Sequence, residues 1–147
     1  MDSTHPQSNG AAGVDINRVR DLLSEFAWFA DRGDGEGLSR LFLPEGVLHA
    51  GGQDHAGREQ IAQDCVRRAA IPGRKTRHVW SNLRIERVEA GSISTTAVQL
   101  TFEQLDQPEP GSTQLRISDL FDTFRRDASG DWRFATRRIQ RAMGLML

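Results

Sequence analysis

The chain is predicted to fold as an α+β domain in which helices cover one face of a curved antiparallel sheet. Three observations carry this. Apolar residues recur at three- and four-residue intervals from Ile16 to Ala30 and again from Ile61 to Ala69, the spacing of helices with one buried face. From Thr76 onward, β-branched and aromatic residues fill residues 76–88, 92–105, 114–126 and 132–139, the composition of strands. Turn formers separate these runs: Glu89-Ala90-Gly91, a loop with Pro108 and Pro110, and Asp127-Ala128-Ser129-Gly130-Asp131.

Bulk properties narrow the function classes. A chain of 147 residues makes one domain by length, large enough to bury roughly two-thirds of its unfolded surface and still enclose a cavity. Nineteen basic side chains against 20 acidic ones give a net charge of −1, which supplies no electrostatic reason to bind nucleic acid or an anionic membrane. The single cysteine, Cys65, cannot form an internal disulfide and fits a reducing, cytoplasmic setting. Residues 1–13 are rich in Ser, Gly, Asn and Gln without an apolar stretch. They read as a disordered lead-in, neither secretion signal nor membrane anchor, ahead of a single domain at 14–147.

The first helix is expected from Val14, with Asp15 as N-cap and Ile16, Val19, Leu22, Leu23, Phe26, Ala27 and Ala30 on its buried stripe. It stops at Gly33, a natural residue for the left-handed position after a helix end. Asp31 follows Leu23 and Ala27 in steps of four, so its carboxylate lies at the edge of that stripe. It either finds a partner there or is solvated at a fraying end. A short helix at 36–42 stops before Pro44. A strand at 46–50 and a turn at 51–54 follow, with His49 facing either the interior or the surface of an edge strand. The third helix, 58–70, turns Ile61, Ala62, Cys65, Val66 and Ala69 inward, with Cys65 as a small core residue. No internal repeat, metal-ligand spacing, phosphate loop or nucleophile elbow is present.

The chemically suggestive stretch is Thr76-Arg77-His78-Val79-Trp80-Ser81-Asn82-Leu83-Arg84-Ile85-Glu86. If the strand is regular, residues 78, 80 and 82 share one face. An imidazole on an interior sheet face can serve as a general base. The alternative is a histidine satisfied by a backbone carbonyl. His5 lies in the polar lead-in, and His49 and His55 sit at or beyond a short strand edge.

Several short motifs, in this order and spacing, resemble the SnoaL-like group of the nuclear transport factor two-like, cystatin-like superfold. They are Ala30-Asp31-Arg32-Gly33-Asp34, Leu41-Phe42-Leu43-Pro44-Glu45-Gly46-Val47, Gly57-Arg58-Glu59-Gln60-Ile61, His78 with Asn82, Asp122, and Gly130-Asp131-Trp132-Arg133-Phe134 leading to Arg137-Arg138. The match runs from about Ile16 to Ile139 and implies a cone-shaped α+β barrel, three N-terminal helices on a curved antiparallel or mixed sheet. Within the group the chain is most similar to the scytalone dehydratase and hexachlorocyclohexane dehydrochlorinase branch. There an aspartate ending the first helix and a histidine opening the first long strand form a base dyad. Asp31 and His78 match those positions, and Arg137 matches an arginine of the last strand. The branch's first-helix lysine falls near Phe26 here, and the tyrosines of scytalone dehydratase have no counterpart, because the chain contains no tyrosine.

The resemblance implies a lyase or isomerase that uses no metal and no organic cofactor. Asp31 would orient His78, whose Nε2 removes a proton from a substrate carbon, and Arg137 would stabilise the developing negative charge. Which of Arg137 and Arg138 faces the pocket is left open. Phe26, Trp80, Phe121, Asn82 and His49 are candidates to bind a small apolar or aromatic substrate. The competing reading is a non-catalytic module of the same fold that holds a small ligand or docks a partner. A structural β subunit of a ring-hydroxylating dioxygenase shares the outline, but no local motif matches. Self-association as a dimer or trimer is expected through the sheet face the helices leave open, where the apolar residues of 98–102 lie.

Overall fold

The structure, a computed structural model, describes residues 8–147, with side chains from Asp15 onward. Its first element, α1 (Ser8–Arg32), begins before Val14, while residues 1–7 of the expected lead-in, His5 among them, lie outside the described residues. Asp15 is therefore not an N-cap. Its Oδ1 accepts a 2.8 Å hydrogen bond from Trp132 Nε1 and so ties the helix to the far end of the sheet. The predicted stripe holds: Val19, Leu22, Leu23 and Phe26 are buried.

Gly33 ends α1 with φ of 66°, and the Asp34 N–H reaches back to Phe29 O at 3.0 Å, a left-handed helix stop. A Cβ on Gly33 would meet Ala69 Cβ at 2.5 Å. Glycine thus both turns the chain and lets α1 close on α3. Asp34 then caps α2 (Gly35–Ser39), accepting from the Gly37 N–H at 2.9 Å.

α2 is shorter than its apolar pattern predicts, because Phe42 opens β1 (Phe42–Ala50) instead of ending the helix. Leu41, Phe42 and Leu43 are all buried, so the run serves the sheet core. After the Gly51-Gly52 turn, β2 (Gln53–Ala56) pairs antiparallel with β1, where the sequence had suggested that the turn ran on through Asp54. In α3 (Gly57–Ala69) the buried residues are Ile61, Asp64 and Cys65, whereas Val66 is 54% exposed. The inward stripe is rotated from the predicted one because a carboxylate occupies it. Asp64 can be buried there because Arg67 and Arg68 neutralise it.

Four long strands complete the sheet: β3 (Lys75–Glu89), β4 (Ser92–Leu105), β5 (Ser112–Arg126) and β6 (Trp132–Met146). The order is β2-β1-β6-β5-β4-β3, antiparallel except for the parallel pair β1 and β6. β6 runs past Ile139, so the apolar C-terminus is a strand paired with β5 through Leu115↔Leu145 and Gln114↔Met146. The helices cover one face, as predicted for an α+β domain. The other face exposes Val79, Phe102 and Met143.

At the closed end, the Phe134 ring stacks on Phe42 at 5.0 Å and lies 4.7 Å from Phe124 and 6.0 Å from Phe26. This cluster joins α1, β1, β5 and β6 in one contact set. No helix among the described residues is long and apolar enough to cross a membrane. Phe134→Ala is expected to lower unfolding free energy by about 3–5 kcal/mol, measured by urea denaturation. A loss below about 1 kcal/mol would mean the ring is not central to the core.

Candidate active site

The last turn of α1 and the start of β3 meet at Asp31. Three donors from β3 converge on this carboxylate. The Thr76 hydroxyl donates at 2.9 Å, the His78 backbone N–H at 3.1 Å, and His78 Nδ1 lies 2.5 Å from Oδ1. Burial raises the Asp31 carboxyl, but the bond to His78, its charge, its backbone N–H and the Thr76 hydroxyl outweigh that and hold it below its ordinary value of 3.8. With Nδ1 turned to Asp31, the other ring nitrogen, Nε2, makes no hydrogen bond among the described residues. His78 itself lines a cavity of about 470 Å³ beneath α1 and α3.

Half of that cavity is apolar, walled by Phe26, Leu38, Leu48, Ile61 and Ile139. The other half comes from the inner face of the sheet. His78, Thr101 and Arg116 stand in one cross-strand row, and Trp80, Gln99 and Ser118 in the next. Gln99, Thr101 and Ser118 are buried, line the cavity, and make no side-chain hydrogen bond among the described residues. Buried polar groups of this kind normally find a partner, and here they face open space. Beyond them Glu103 Oε1 accepts from Arg116 at 2.7 Å and Oε2 from Arg74 at 2.7 Å. Burial raises the Glu103 carboxyl, and the two arginines more than offset it. Asp64 Oδ2 accepts from Arg68 Nε at 2.9 Å, and His55 Nε2 lies 3.5 Å from Oδ1. Burial pushes the Cys65 thiol up to about 11, in keeping with a core residue and not a nucleophile. No three His, Cys, Asp or Glu side chains converge to hold a metal among the described residues.

Of the predicted residues, Phe26 and His78 line the cavity, with Asp31 behind His78; the others lie elsewhere. Arg137 points inward but is 0% exposed, sealed behind Phe26 with its guanidinium 4.2 Å from that ring. It faces Asp122, with Nε 3.5 Å from Oδ1, and does not line the cavity. It lies in the core, away from the cavity wall. Arg138 points to the opposite face, over the Phe121 ring at 4.5 Å. Phe121 and His49 line a separate cleft on that face, and His49 Nδ1 is bonded to Asp54. Trp80 faces inward but packs on α1, donating to Ser24 Oγ at 3.0 Å. Asn82 has φ of 56° at a break in register between Ser81 and Arg84. The strand phase shifts there, so Leu83 and Ile85 turn inward and Asn82 is left exposed, accepting from Ser81 Oγ at 2.9 Å.

The residues missed by the sequence reading are Gln99, Thr101, Glu103, Ser118, Arg116, Arg74 and Arg141. A signal for β4 was available. If Val98, Leu100 and Phe102 face away from the helices, strand alternation sends Gln99, Thr101 and Glu103 inward. Arg74 precedes β3 and Arg141 lies beyond the expected end of β6, so neither carried a strand signal.

A mixed sheet covered on one face by helices, with a half-polar cavity between the layers, defines a cone-shaped α+β domain. The chain belongs to the SnoaL-like domain family, whose model matches residues 14–138. Its structure is similar to that of LinA, with a TM-score of 0.83, 20% identity, and 96% of this chain and 95% of that one covered. It is similar to a candidate scytalone dehydratase from Novosphingobium aromaticivorans, with a TM-score of 0.82, 19% identity and 95% and 91% covered. A type 2 hexachlorocyclohexane dehydrochlorinase gives a TM-score of 0.79 at 20% identity, with 91% and 89% covered. At these identities the likeness establishes the fold. Among curated proteins, none matches the sequence.

Two buried carboxylates act on stability with opposite signs. Asp31, held below 3.8, stabilises the fold above the unfolded value, and that contribution is lost as pH falls through the depressed folded value. Burial pushes Asp122 up to about 6 against the pull of Arg137. The folded chain therefore holds that proton more tightly, and stability falls as pH rises from the ordinary 3.8 through about 6. The difference in unfolding free energy between wild type and Asp31→Asn is expected to shrink as pH drops below 3.8, followed by urea denaturation at stepped pH; a constant difference contradicts it. Arg137→Met strands the Asp122 charge and is expected to cost about 3–5 kcal/mol, most of it recovered in the double variant with Asp122→Leu. Equal instability of the single and double variants contradicts this account of the pair.

Proposed function

We propose that the chain is a lyase or isomerase acting on a small molecule, with His78 removing a proton from carbon inside the cavity. The observation that carries this is the Asp31 carboxylate held 2.5 Å from His78 Nδ1 while the ring borders the cavity. An imidazole bonded through Nδ1 to a carboxylate keeps its Nε2 lone pair for the substrate. Asp31 also stabilises the imidazolium that forms. Positioned general bases contribute roughly 10²- to 10⁴-fold in rate.

As the C–H bond breaks, its electron pair moves into the substrate, where an adjacent carbonyl becomes enolate-like or a β leaving group departs. The Gln99 amide and Thr101 hydroxyl, in or beside the His78 row, are the donors available to a developing oxyanion. The imidazolium then returns its proton to another carbon in an isomerisation, or to the departing group in an elimination. The acid–base pair supplies the proton chemistry without a metal or organic cofactor. The names of two similar structures, a dehydrochlorinase and a candidate scytalone dehydratase, belong to the same reaction class and support the reading.

Proton removal can be followed before the physiological substrate is known. Aryl and cyclic ketones, neutral and carboxylate-bearing, are incubated with protein in D₂O, and loss of the α-proton is followed by NMR. Wild type is expected to accelerate exchange of at least one member, and His78→Ala and Asp31→Asn each to lower that rate by at least about 10²-fold. Variants within about threefold of wild type would show that the dyad removes no proton.

A further inference from the structure

The cavity wall carries four arginines, Arg68, Arg74, Arg116 and Arg141, and two carboxylates, Asp64 and Glu103, although the chain as a whole is slightly acidic. Asp64 is engaged by Arg68 and by Arg67. Glu103 is shared between Arg74 and Arg116. Asp31, behind the wall, is hydrogen-bonded by Thr76 and His78 and does not face the cavity. Arg141 has no carboxylate partner among the described residues.

The backbone brings this unmatched cation to the others. The Arg141 guanidinium folds over Gly144, where a Cβ would meet its Nη2 at 2.5 Å. Gly144 is the cross-strand partner of Arg116 on the neighbouring strand. Any larger residue at 144 would push Arg141 away from that position. Gathering guanidinium groups around one carboxylate raises their mutual repulsion unless a further anion arrives. The fork of an arginine matches a carboxylate in geometry as well as charge.

We propose that the molecule this cavity takes is a carboxylate with an apolar ring body, its anionic group held by Arg116 and Arg141. The ring lies against Phe26, Leu48 and Ile61, which line the apolar half. His78 and Arg116 are two strands apart in one row, roughly 10 Å between backbones at ~4.8 Å per strand. That separation places the labile C–H about a ring's width from the carboxylate. The inference rests on the reading above in taking this cavity as the reactant's, but its test does not depend on turnover.

The probes are 2-naphthoate and its neutral analogue 2-naphthamide, titrated into the full chain by calorimetry and by amide NMR shifts. Naphthoate is expected to bind wild type at least about tenfold more tightly than naphthamide, the ratio that 1.4 kcal/mol of charge-assisted bonding gives. Arg141→Gln, a change at an exposed position, is expected to abolish most of that preference, and added salt to reduce it. His78→Gln is expected to keep it. Equal affinity, preference for the amide, no binding of naphthoate at millimolar concentration, or an undiminished preference in Arg141→Gln would each overturn the proposal. Those outcomes leave proton removal by His78 intact, since deuterium exchange of neutral ketones reports it separately. Loss of exchange with retained naphthoate preference would instead remove the dyad and keep the anion site.

Discussion

One carboxylate, Asp31, fixes the relation between the helical layer and the sheet. It accepts from the side chains of Thr76 and His78 and from the backbone of His78, so the end of α1 and the start of β3 are held at three points. A single hydrogen bond would leave the helix free to slide or roll over the strand; three donors on two oxygens do not. Being charged, Asp31 can exist at this buried joint only because those donors replace its water. The geometry that orients the imidazole is therefore the geometry that joins the two layers, and the proposed function and the fold share one interaction. Gly33 is its steric counterpart, ending α1 one turn past the stripe while giving way to Ala69 of α3.

A second constraint decides where the interior is solid and where it is hollow. Toward Phe134 the rings of α1, β1, β5 and β6 fill the space, and even the Asp122–Arg137 pair is sealed in. Toward the open end the same sheet face carries Gln99, Thr101, Glu103 and Ser118, which neither fill the volume nor satisfy one another. Apolar residues at these positions would stabilise the fold and close the cavity, so the hollow and its polar lining cost stability. The boundary between halves runs through Phe26, whose ring borders the cavity and lies over the Arg137 guanidinium.

Much of this could be read from residue patterns, for physical reasons. The α1 stripe, the stop at Gly33 and the four long strands follow from periodicity and turn chemistry that tertiary packing did not override. The pairing of Asp31 with His78, by contrast, was implied by the resemblance to the SnoaL-like group and not by periodicity, which left the partner of each open. Positions that depend on local strand irregularity were less legible. Asn82 was expected beside His78 and Trp80, but its left-handed backbone resets the alternation of β3. Arg137 was expected to reach a substrate, and only the packing of Phe26 and Asp122 around it reveals a structural charge. Phe121 and His49 lie on the opposite face because alternation, followed consistently from buried Leu120 and Leu48, sends them there. The arginine cluster was hidden because its members come from α3, a loop, a strand position in β5 and the extension of β6, and the register of β5 on β6, with Arg116 opposite Gly144, sets the last two beside each other.

The account turns on the protonation pattern of one ring. Among neutral histidines, the tautomer is set by the partner of the other nitrogen, and long-range ¹H–¹⁵N correlation spectra read it directly. In wild type at a pH where the His78 imidazole is neutral, the proton is predicted on Nδ1, with Nε2 unprotonated, and Asp31→Asn is predicted to remove that bias. A His78 ring that carries its proton on Nε2 in the wild-type protein would contradict the account, since no lone pair would then face the cavity.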